Sequence, residues 1–348
     1  MSNPFVAAVL LVVCAAAATA AQTPPTAPAQ LPVVQLPPPP QPFSDWLVAL
    51  RAEALSRGIS EATVAHALDG LEPLPVVIER DRTQAELMLT LDRYIQEHVT
   101  RKVVKTAARL TREHAALLRK IQAKYGVPRG VIIAVWGLES NFGRFSGVRP
   151  TIQALATLAY DPRRSQMFRE ELFAALKILD SGDVDPAALR GSWAGAMGQP
   201  QFMPSSFLRF AQDFDGDGRR DIWRSQADVF ASIAYYLQAH GWSASQTWGR
   251  EVKLPRGFLD RVNAVAPLKT EGCQAEQQMT MPLPLSRWRQ LGVRSRDGRA
   301  LPAARIDASL VRGAKRAFLV YPNYEALLAY NCAHAYGLSV ALLSDHLR

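Results

Sequence analysis

The chain has 348 residues, of which 48% are hydrophobic and 20% are charged, and this balance is typical of a folded globular protein. The length is enough for two or three structural units. The formal net charge of +9 suits a polyanionic partner, such as nucleic acid, an anionic membrane face or an acidic cell-wall polymer. Neither a zinc-ligand spacing nor a dense basic run accompanies this charge, so the sequence argues against nucleic-acid binding.

The first 21 residues carry no charge and contain an apolar stretch, Val6–Ala20, that ends in small residues. This pattern is typical of a secretory signal peptide over residues 1–21, and the stretch is short for a membrane span. Val13 precedes Cys14 where a lipoprotein signal would have a small residue, so we expect no lipid anchor. No other segment is apolar enough to cross a bilayer. We therefore predict an exported protein without a transmembrane segment.

Residues 22–42 hold nine prolines and no charged residue, as expected of a stiff, extended, disordered linker. Export would expose the folded chain to an oxidising compartment. The two cysteines that remain after cleavage, Cys273 and Cys332, are therefore candidates for a disulfide, and two buried thiols are the alternative.

The pattern becomes helical from Phe43. Ser44-Asp45 suits the cap of the first helix and Ser60 that of the second, because a short polar side chain can accept a hydrogen bond from a free N–H group there. The predicted helices cover Trp46–Ser56, Glu61–Leu68, Gln84–His98 after Thr83, and a stretch from Thr100 to Tyr125. Together they predict a helical lobe over residues 43–125.

The next stretch, Val131–Gly143, runs through eight uncharged residues to a single carboxylate, Glu139. Pro128 suits the first turn of a helix and Gly143 suits its end. On such a helix Glu139 shares a face with Trp136, and an apolar face disfavours the charged carboxylate and raises its pKa. A raised pKa lets Glu donate a proton near neutral pH. The alternative is a Glu at the helix end that turns to solvent.

Two loops follow. Residues 191–206 hold three glycines and two prolines, and such an amide-bearing loop beside a cleft can bind sugar hydroxyls and acetamides. Residues 213–218 have carboxylates at positions 1, 3 and 5 and Gly at 6, the front half of a calcium loop. Position 12 is Arg224 instead of Glu, although Asp228 can close a longer loop. The alternatives are a packed turn that binds nothing and a solvated acidic turn.

After a helix over Val229–Gly241, residues 248–318 show short alternating runs and many turn residues, which predicts a small β-rich unit. Residues 319–348 are expected to return to the core as a C-terminal helix. The motifs of serine hydrolases, zinc peptidases, phosphate loops and dinucleotide-binding folds are missing from the sequence. An apolar helix with one acid, aromatic residues and amide loops instead indicates a carbohydrate cleft.

Four stretches resemble the lytic murein transglycosylase B family in order and spacing: Trp136–Gly143, Pro150–Leu158, Ser192–Ser206 and Asp213–Gly218. The resemblance extends from about Phe43 to the C-terminus. It implies a mainly α (α+β) fold, with a lysozyme-like core over residues 126–247, the added helical lobe and the small β-rich unit. It also implies cleavage of the β-1,4 bond between N-acetylmuramic acid and N-acetylglucosamine in peptidoglycan, with a 1,6-anhydromuramoyl product.

The same resemblance assigns roles to single residues. Glu139 would act first as general acid and then as base toward the C6 hydroxyl of the muramoyl residue, and no catalytic cofactor would be needed. The implied substrate-binding residues are Ser192, Gln201, Tyr236, Tyr330 and Asn331, with Tyr94 and Tyr336 as further candidates. The implied ligands of a structural Ca²⁺ are Asp213, Asp215, Asp217, Arg219 and Asp228. A monomer acting in the periplasm is expected.

Three other functions fit the same residues. A hydrolytic muramidase would cut the same bond with water, and it would need a second carboxylate or a held water. A non-catalytic scaffold would bind peptidoglycan in the cleft without cleaving it. A calcium-stabilised structural protein would neither bind nor cleave peptidoglycan.

Overall fold

The computed structural model describes residues 41–83, 89–162 and 165–347, which belong to one compact unit. The predicted signal peptide, all but the end of the predicted linker, and residues 84–88 of the predicted third helix lie outside the described residues.

The first nine helices along the chain are α1 Phe43–Ser56, α2 Glu61–Leu68, α3 Pro75–Thr83, α4 Leu91–His98, α5 Arg101–Glu113, α6 Ala115–Tyr125, α7 Arg129–Ser140, α8 Thr151–Tyr160 and α9 Ser165–Asp180. The later helices are α10 Pro204–Phe210, α11 Gln226–Ala239, α12 Leu259–Val265, α13 Gln274–Gln277, α14 Leu285–Gln290, α15 Pro322–Tyr330 and α16 His334–Asp345.

The N-terminal helices match the sequence prediction where a local cap decides them. The Ser60 hydroxyl accepts the N–H of Thr63 at 3.2 Å, and α2 has the predicted bounds. The predicted third helix, Gln84–His98, is not continuous, because Leu89 and the extended Thr90 lie outside any helix and α4 begins at Leu91. The predicted helix to Tyr125 is two helices that meet at His114.

The break at His114 has a tertiary cause. The ring of His114 packs edge-on against Phe230, with centroids 5.2 Å apart, and against Trp136 at 6.1 Å. Thr100 caps α5 through its hydroxyl, which accepts the N–H of Val103. Contacts with residues distant in sequence therefore fix this bend.

The strands form two antiparallel sheets. In the smaller sheet β1 (Arg149–Pro150) pairs with β2 (Arg190–Gly191). The larger has the order β4-β6-β7-β3-β5, where β3 is Gly249–Lys253, β4 is Leu283–Pro284, β5 is Arg294–Ser295, β6 is Asp307–Arg312 and β7 is Ala317–Val320. The predicted fold class, mainly α with a small β-rich unit, is confirmed.

The C-terminal segment is not the single helix that the sequence predicts. Helices α15 and α16 are separated by Asn331–Ala333 and lie at 118° to each other. Asn331 has an extended backbone, with φ −150° and ψ 115°, so the helix cannot continue through it. Among the described residues no single helix has the length and hydropathy to span a bilayer, and only this bent pair, taken together, meets the criteria of length and composition.

The helical part has two hydrophobic cores. One is built around α7, which packs against α5, α6, α11 and α16 and buries Ile132, Ile133 and Val135 completely. The other is built around α8 and α9, against which α1, α2 and α10 pack. Tyr330 contacts both cores. Truncation of a buried Ile to Ala costs about 2–5 kcal/mol, so α7 is a rigid support for the residues at its C-terminal end.

Candidate active site

Glu139 lies in the last turn of α7, immediately before a left-handed turn. The residues Asn141, Phe142 and Gly143 have φ values of 49°, 61° and 78°. Such values are unusual for a residue with a Cβ, and strained backbone of this kind clusters at functional sites. The Ser140 hydroxyl accepts the N–H of Gly143 at 3.0 Å and donates to the Trp136 carbonyl at 3.0 Å. The turn is therefore fixed to the helix that carries Glu139.

The carboxyl group of Glu139 is in a poorly solvated position. Glu139 is half-buried, and burial raises the pKa of its carboxyl group from 4.5 to about 7. Tyr336 opposes this shift as a hydrogen-bond donor, but its buried hydroxyl has no partner of standard hydrogen-bond geometry in the described chain, so burial dominates. A carboxyl group with a pKa near 7 can both release and recover a proton at neutral pH.

Four tyrosines surround Glu139. Burial raises the pKa of each of Tyr94, Tyr236, Tyr330 and Tyr336, and the charge of Glu139 raises each of them further. Ring centroids of Tyr236 and Tyr330 are 4.7 Å apart, and those of Tyr330 and Tyr336 are 6.3 Å apart. The structure thus brings together four of the residues that the resemblance implies for substrate binding.

Two of these hydroxyls connect the tyrosines to neighbouring segments of the backbone. Tyr236 donates to the Ala329 carbonyl at 2.7 Å, and Tyr330 donates to the Pro200 carbonyl at 2.7 Å. The second bond joins the end of α15 to the Gly-rich loop. Phe202 of that loop lies 5.5 Å from the Tyr236 ring and 5.9 Å from the Tyr330 ring. These aromatic rings therefore form one connected cluster.

The remaining predicted substrate-binding residues lie on loops. The Ser192 hydroxyl accepts the N–H groups of Ala194 and Ala196, so it shapes its own turn. Gln201 has a left-handed backbone, with φ 52°, and its side-chain amide donates to the Gly198 carbonyl at 2.8 Å. Asn331 is exposed just beyond α15 and makes no side-chain hydrogen bond within the described residues.

Gln199 is a site residue that the sequence analysis missed. Its buried side chain accepts the indole N–H of Trp136 at 2.7 Å and donates to the Trp223 carbonyl at 2.7 Å. The amide oxygen also lies 2.5 Å from where a Cβ on Gly143 would be, and Gly143 has a φ of 78°, so a larger residue there would be strained and would displace Gln199. A buried indole N–H requires a hydrogen-bond acceptor. An amide side chain within the Gly-rich loop is therefore the sequence signal that could have identified Gln199.

The acidic loop brings three of its predicted ligands together. Asp213, Asp215 and Asp217 are exposed, and one carboxylate oxygen of each lies within 4.8 Å of the others. Asp228 is buried, and its oxygens accept the N–H groups of Phe214 at 2.7 Å and Asp221 at 2.8 Å. Burial raises the pKa of Asp228 to about 6. It closes the loop through hydrogen bonds.

The last residues that the sequence analysis singled out are Arg219 and the cysteine pair. The backbone N–H of Arg219 donates to Asp217 at 2.9 Å, which curves the chain around the acidic group. Cys273 and Cys332 are joined by a disulfide, with Cα atoms 6.3 Å apart. Since Cys332 lies between α15 and α16, the disulfide holds the connection next to Tyr330 and Asn331.

This chain resembles known proteins in both sequence and structure. It is 35% identical over 193 residues to membrane-bound lytic murein transglycosylase B of Escherichia coli strain K12, a match that covers 54% of this chain and 53% of the relative. The chain thus spans about half the length of the curated relative it matches. Its fold matches SltB3 from Pseudomonas aeruginosa in complex with NAG-anhNAM-pentapeptide, with a TM-score of 0.81, 41% identity, and coverage of 88% of this chain and 80% of that one.

A second solved structure is the Escherichia coli lytic transglycosylase Slt35 in complex with calcium, with a TM-score of 0.71, 26% identity, and coverage of 88% of this chain and 92% of that one. The predicted resemblance is therefore confirmed. The model of the transglycosylase SLT domain family matches residues 42–345, and the chain belongs to that family.

Proposed function

We propose that this protein is a lytic transglycosylase of peptidoglycan. The observation that carries the proposal is a half-buried carboxyl group, Glu139, whose pKa is raised to about 7 and which four tyrosines surround. Membership of the transglycosylase SLT domain family and the similarity to lytic transglycosylases support it. The substrate would be the β-1,4 bond between N-acetylmuramic acid and N-acetylglucosamine.

In the first step, the protonated Glu139 donates its proton to the glycosidic oxygen, and the bond from that oxygen to C1 of the muramoyl residue breaks. In the second step, the C6 hydroxyl of the same residue attacks C1, and its proton passes to the Glu139 carboxylate. Glu139 is thus protonated again, and the enzyme is regenerated. The nucleophile belongs to the substrate, so proximity within one sugar takes the place of an activated water.

The surrounding residues would position the glycan strand. Aromatic rings suit the apolar faces of sugars, which fits Tyr236, Tyr330, Tyr336 and Tyr94. The loop residues Ser192 and Gln201 and the exposed Asn331 would contact polar groups of the sugars. Because Ser192 and Gln201 also hold their own turns, their substitution would alter the shape of the loop as well as any contact.

The alternative of a hydrolytic muramidase has less support. Glycosidases that use water or a covalent intermediate usually have two carboxyl groups about 5–9.5 Å apart. A second carboxylate at that distance would raise the pKa of Glu139 by repulsion, yet burial and Tyr336 are the causes that act on it. Among the described residues, no second carboxylate is therefore a cause of the raised pKa of Glu139, which favours the transglycosylase over the muramidase.

The decisive experiment is mass spectrometry of the muropeptides released from purified peptidoglycan by the wild type and by Glu139→Gln. We expect 1,6-anhydro ends from the wild type and no release by the variant, because Gln cannot donate the proton. Glu271→Gln, which changes an exposed glutamate in the same way, is the matched control and should remain active.

Other products would support other functions. Reducing ends, heavier by one water, would make the protein a muramidase. Retained binding to peptidoglycan with no release by the wild type would make it a scaffold. An unaltered wall with no binding would leave only a structural role.

Further proposals concern ions and location. Asp213, Asp215 and Asp217 provide the oxygen ligands that Ca²⁺ prefers, and the match to a relative in complex with calcium supports a structural ion there. Arg219, through its carbonyl, and Asp228 would complete the ligand set. The proposed peptidoglycan substrate supports an extracytoplasmic, periplasmic location, which the predicted signal peptide would provide. We propose that the protein acts there as a monomer.

A further inference from the structure

A groove of about 370 Å³ begins where the left-handed turn after α7 ends. One side is formed by residues 144–149, and the other by Gly191, Ser192 and Trp193. Three arginines and no acidic residue line it: Arg80, Arg144 and Arg149. Since Ser192 belongs to the proposed substrate-binding loop, the groove adjoins the candidate active site.

The groove is built on rigid backbone. The N–H of Phe145 donates to the Ser140 carbonyl at 2.9 Å, which ties the loop to α7. Arg149 pairs with Gly191 in the small sheet. Gly147, with φ 93°, approaches so closely that a Cβ there would lie 2.0 Å from the carbonyl carbon of Gly191. The two walls therefore have a fixed separation.

The chemistry of the lining indicates the ligand. Arg144 is exposed and Arg149 is half-buried, and in the described part of the chain neither belongs to an ion pair. A guanidinium in such a position can bind a carboxylate through two parallel hydrogen bonds. Phe145 and Val148 are 69% and 77% exposed, which leaves apolar surface between the charges. A short peptide with carboxylates and aliphatic side chains matches this pattern.

We propose that this groove binds the carboxylates of the stem peptide attached to the muramoyl residue at the site of cleavage. The inference rests on the proposed function, because it names a further part of the same substrate. The hydrogen bond from the Phe145 N–H to the Ser140 carbonyl brings the two segments together, so the Cα atoms of Arg144 and Glu139 lie within about 12 Å of each other. An extended peptide of about four residues spans about 14 Å, so it can reach the groove from the cleaved bond.

The test compares two substrates that differ only in charge. Glycan strands with native stem peptides are one substrate, and the same strands with their peptide carboxyl groups converted to carboxamides are the other. For the wild type, we expect KM to be roughly threefold to tenfold higher on the amidated strands, since exposed charge pairs contribute modestly. The double variant Arg144→Gln/Arg149→Gln should raise KM on native strands to the value on amidated strands, and it should leave KM on amidated strands unchanged.

The matched control is Arg256→Gln, which removes an exposed arginine outside the groove. It should keep the wild-type preference for native strands, which excludes an effect of net charge alone. A second readout does not need turnover. Calorimetry would measure the binding of a native muropeptide to Glu139→Gln, with and without the two arginine substitutions, at low and high salt. Binding should weaken with salt only while the arginines are present.

The results separate the two proposals. Equal KM on native and amidated strands for the wild type would overturn the peptide groove but leave the transglycosylase function intact. The same loss on both substrates for the double variant would also overturn it, because it would show a structural effect. Absence of anhydro products from either substrate with the wild type would instead refute the proposed function.

Discussion

At the scale of single residues, the reaction depends on the protonation of Glu139. The carboxyl group must be protonated to act as general acid, and burial raises its pKa to about 7. We therefore expect kcat/KM to fall as the pH rises through about 7, by up to tenfold per pH unit above it, because this parameter follows the free enzyme. The measurement is a pH–rate profile on soluble glycan strands. Circular dichroism over the same range must show an unchanged fold, and a profile flat from pH 6 to 9 would contradict the role of Glu139.

The same pKa predicts a change in stability. Below pH 4.5 Glu139 is neutral in both the folded and the unfolded state. As the pH rises from about 4.5 to 7, mainly the unfolded state ionises, so the free energy of unfolding decreases by about 3 kcal/mol. Glu139→Gln should therefore be more stable than the wild type at pH 8 and about equal to it at pH 4.

Urea unfolding at both pH values measures this difference. Glu271→Gln, at an exposed position, should show no comparable gain at pH 8. A Glu139→Gln variant that is less stable than the wild type at pH 8 would mean that the carboxylate makes favourable contacts in the folded state.

At the scale of elements, the acidic loop before α11 offers the clearest test. Asp213, Asp215 and Asp217 repel one another when charged, and a bound Ca²⁺ would relieve that repulsion. Calcium at about 100 times its dissociation constant should add about 2.7 kcal/mol to the free energy of unfolding, if it binds only the folded state. Thermal unfolding with added calcium, against added chelator, measures the effect as a shift in Tm.

Asp217→Asn should remove most of this shift, because it keeps an oxygen to accept the N–H of Arg219 but loses the charge. Asp307→Asn, which changes an exposed aspartate on β6, is the control. A Tm that does not respond to calcium in the wild type would refute the structural ion.

How far the sequence predicts an element depends on where the deciding interaction lies. The bounds of α2 follow from Ser60, whose cap is local. The break at His114 depends on Trp136 and Phe230, so periodicity alone cannot show it. The apolar face of α7 predicted the raised pKa of Glu139. By contrast, the tyrosines around Glu139 come from four separate helices, and only the family resemblance linked them.

At the scale of the whole molecule, the disulfide between Cys273 and Cys332 closes a long loop, since the two residues are 59 positions apart. A loop of that length corresponds to about 4 kcal/mol in the chain-entropy model, with wide variation among proteins. The double variant Cys273→Ser/Cys332→Ser should therefore unfold at a lower Tm. It should also have a higher KM for glycan strands, because the connection next to Tyr330 loses its attachment.

Reductant provides the control for this prediction. Dithiothreitol should lower the Tm of the wild type and leave that of the double variant unchanged. A wild type whose Tm and KM resist reduction, with the reduction of both thiols verified by alkylation, would show that packing alone holds α15 and α16 in place.

The close approach of Gly147 to Gly191 affects how any deep mutational scan of this protein should be interpreted. A side chain at Gly147 has no room against the neighbouring backbone, so every substitution there would lose activity as a catalytic one does. An assay of cell-wall lysis alone would then count Gly147 and Glu139 in the same class. A parallel screen for the amount of folded protein would separate them, because variants of Gly147 should lose abundance while Glu139→Gln should keep it.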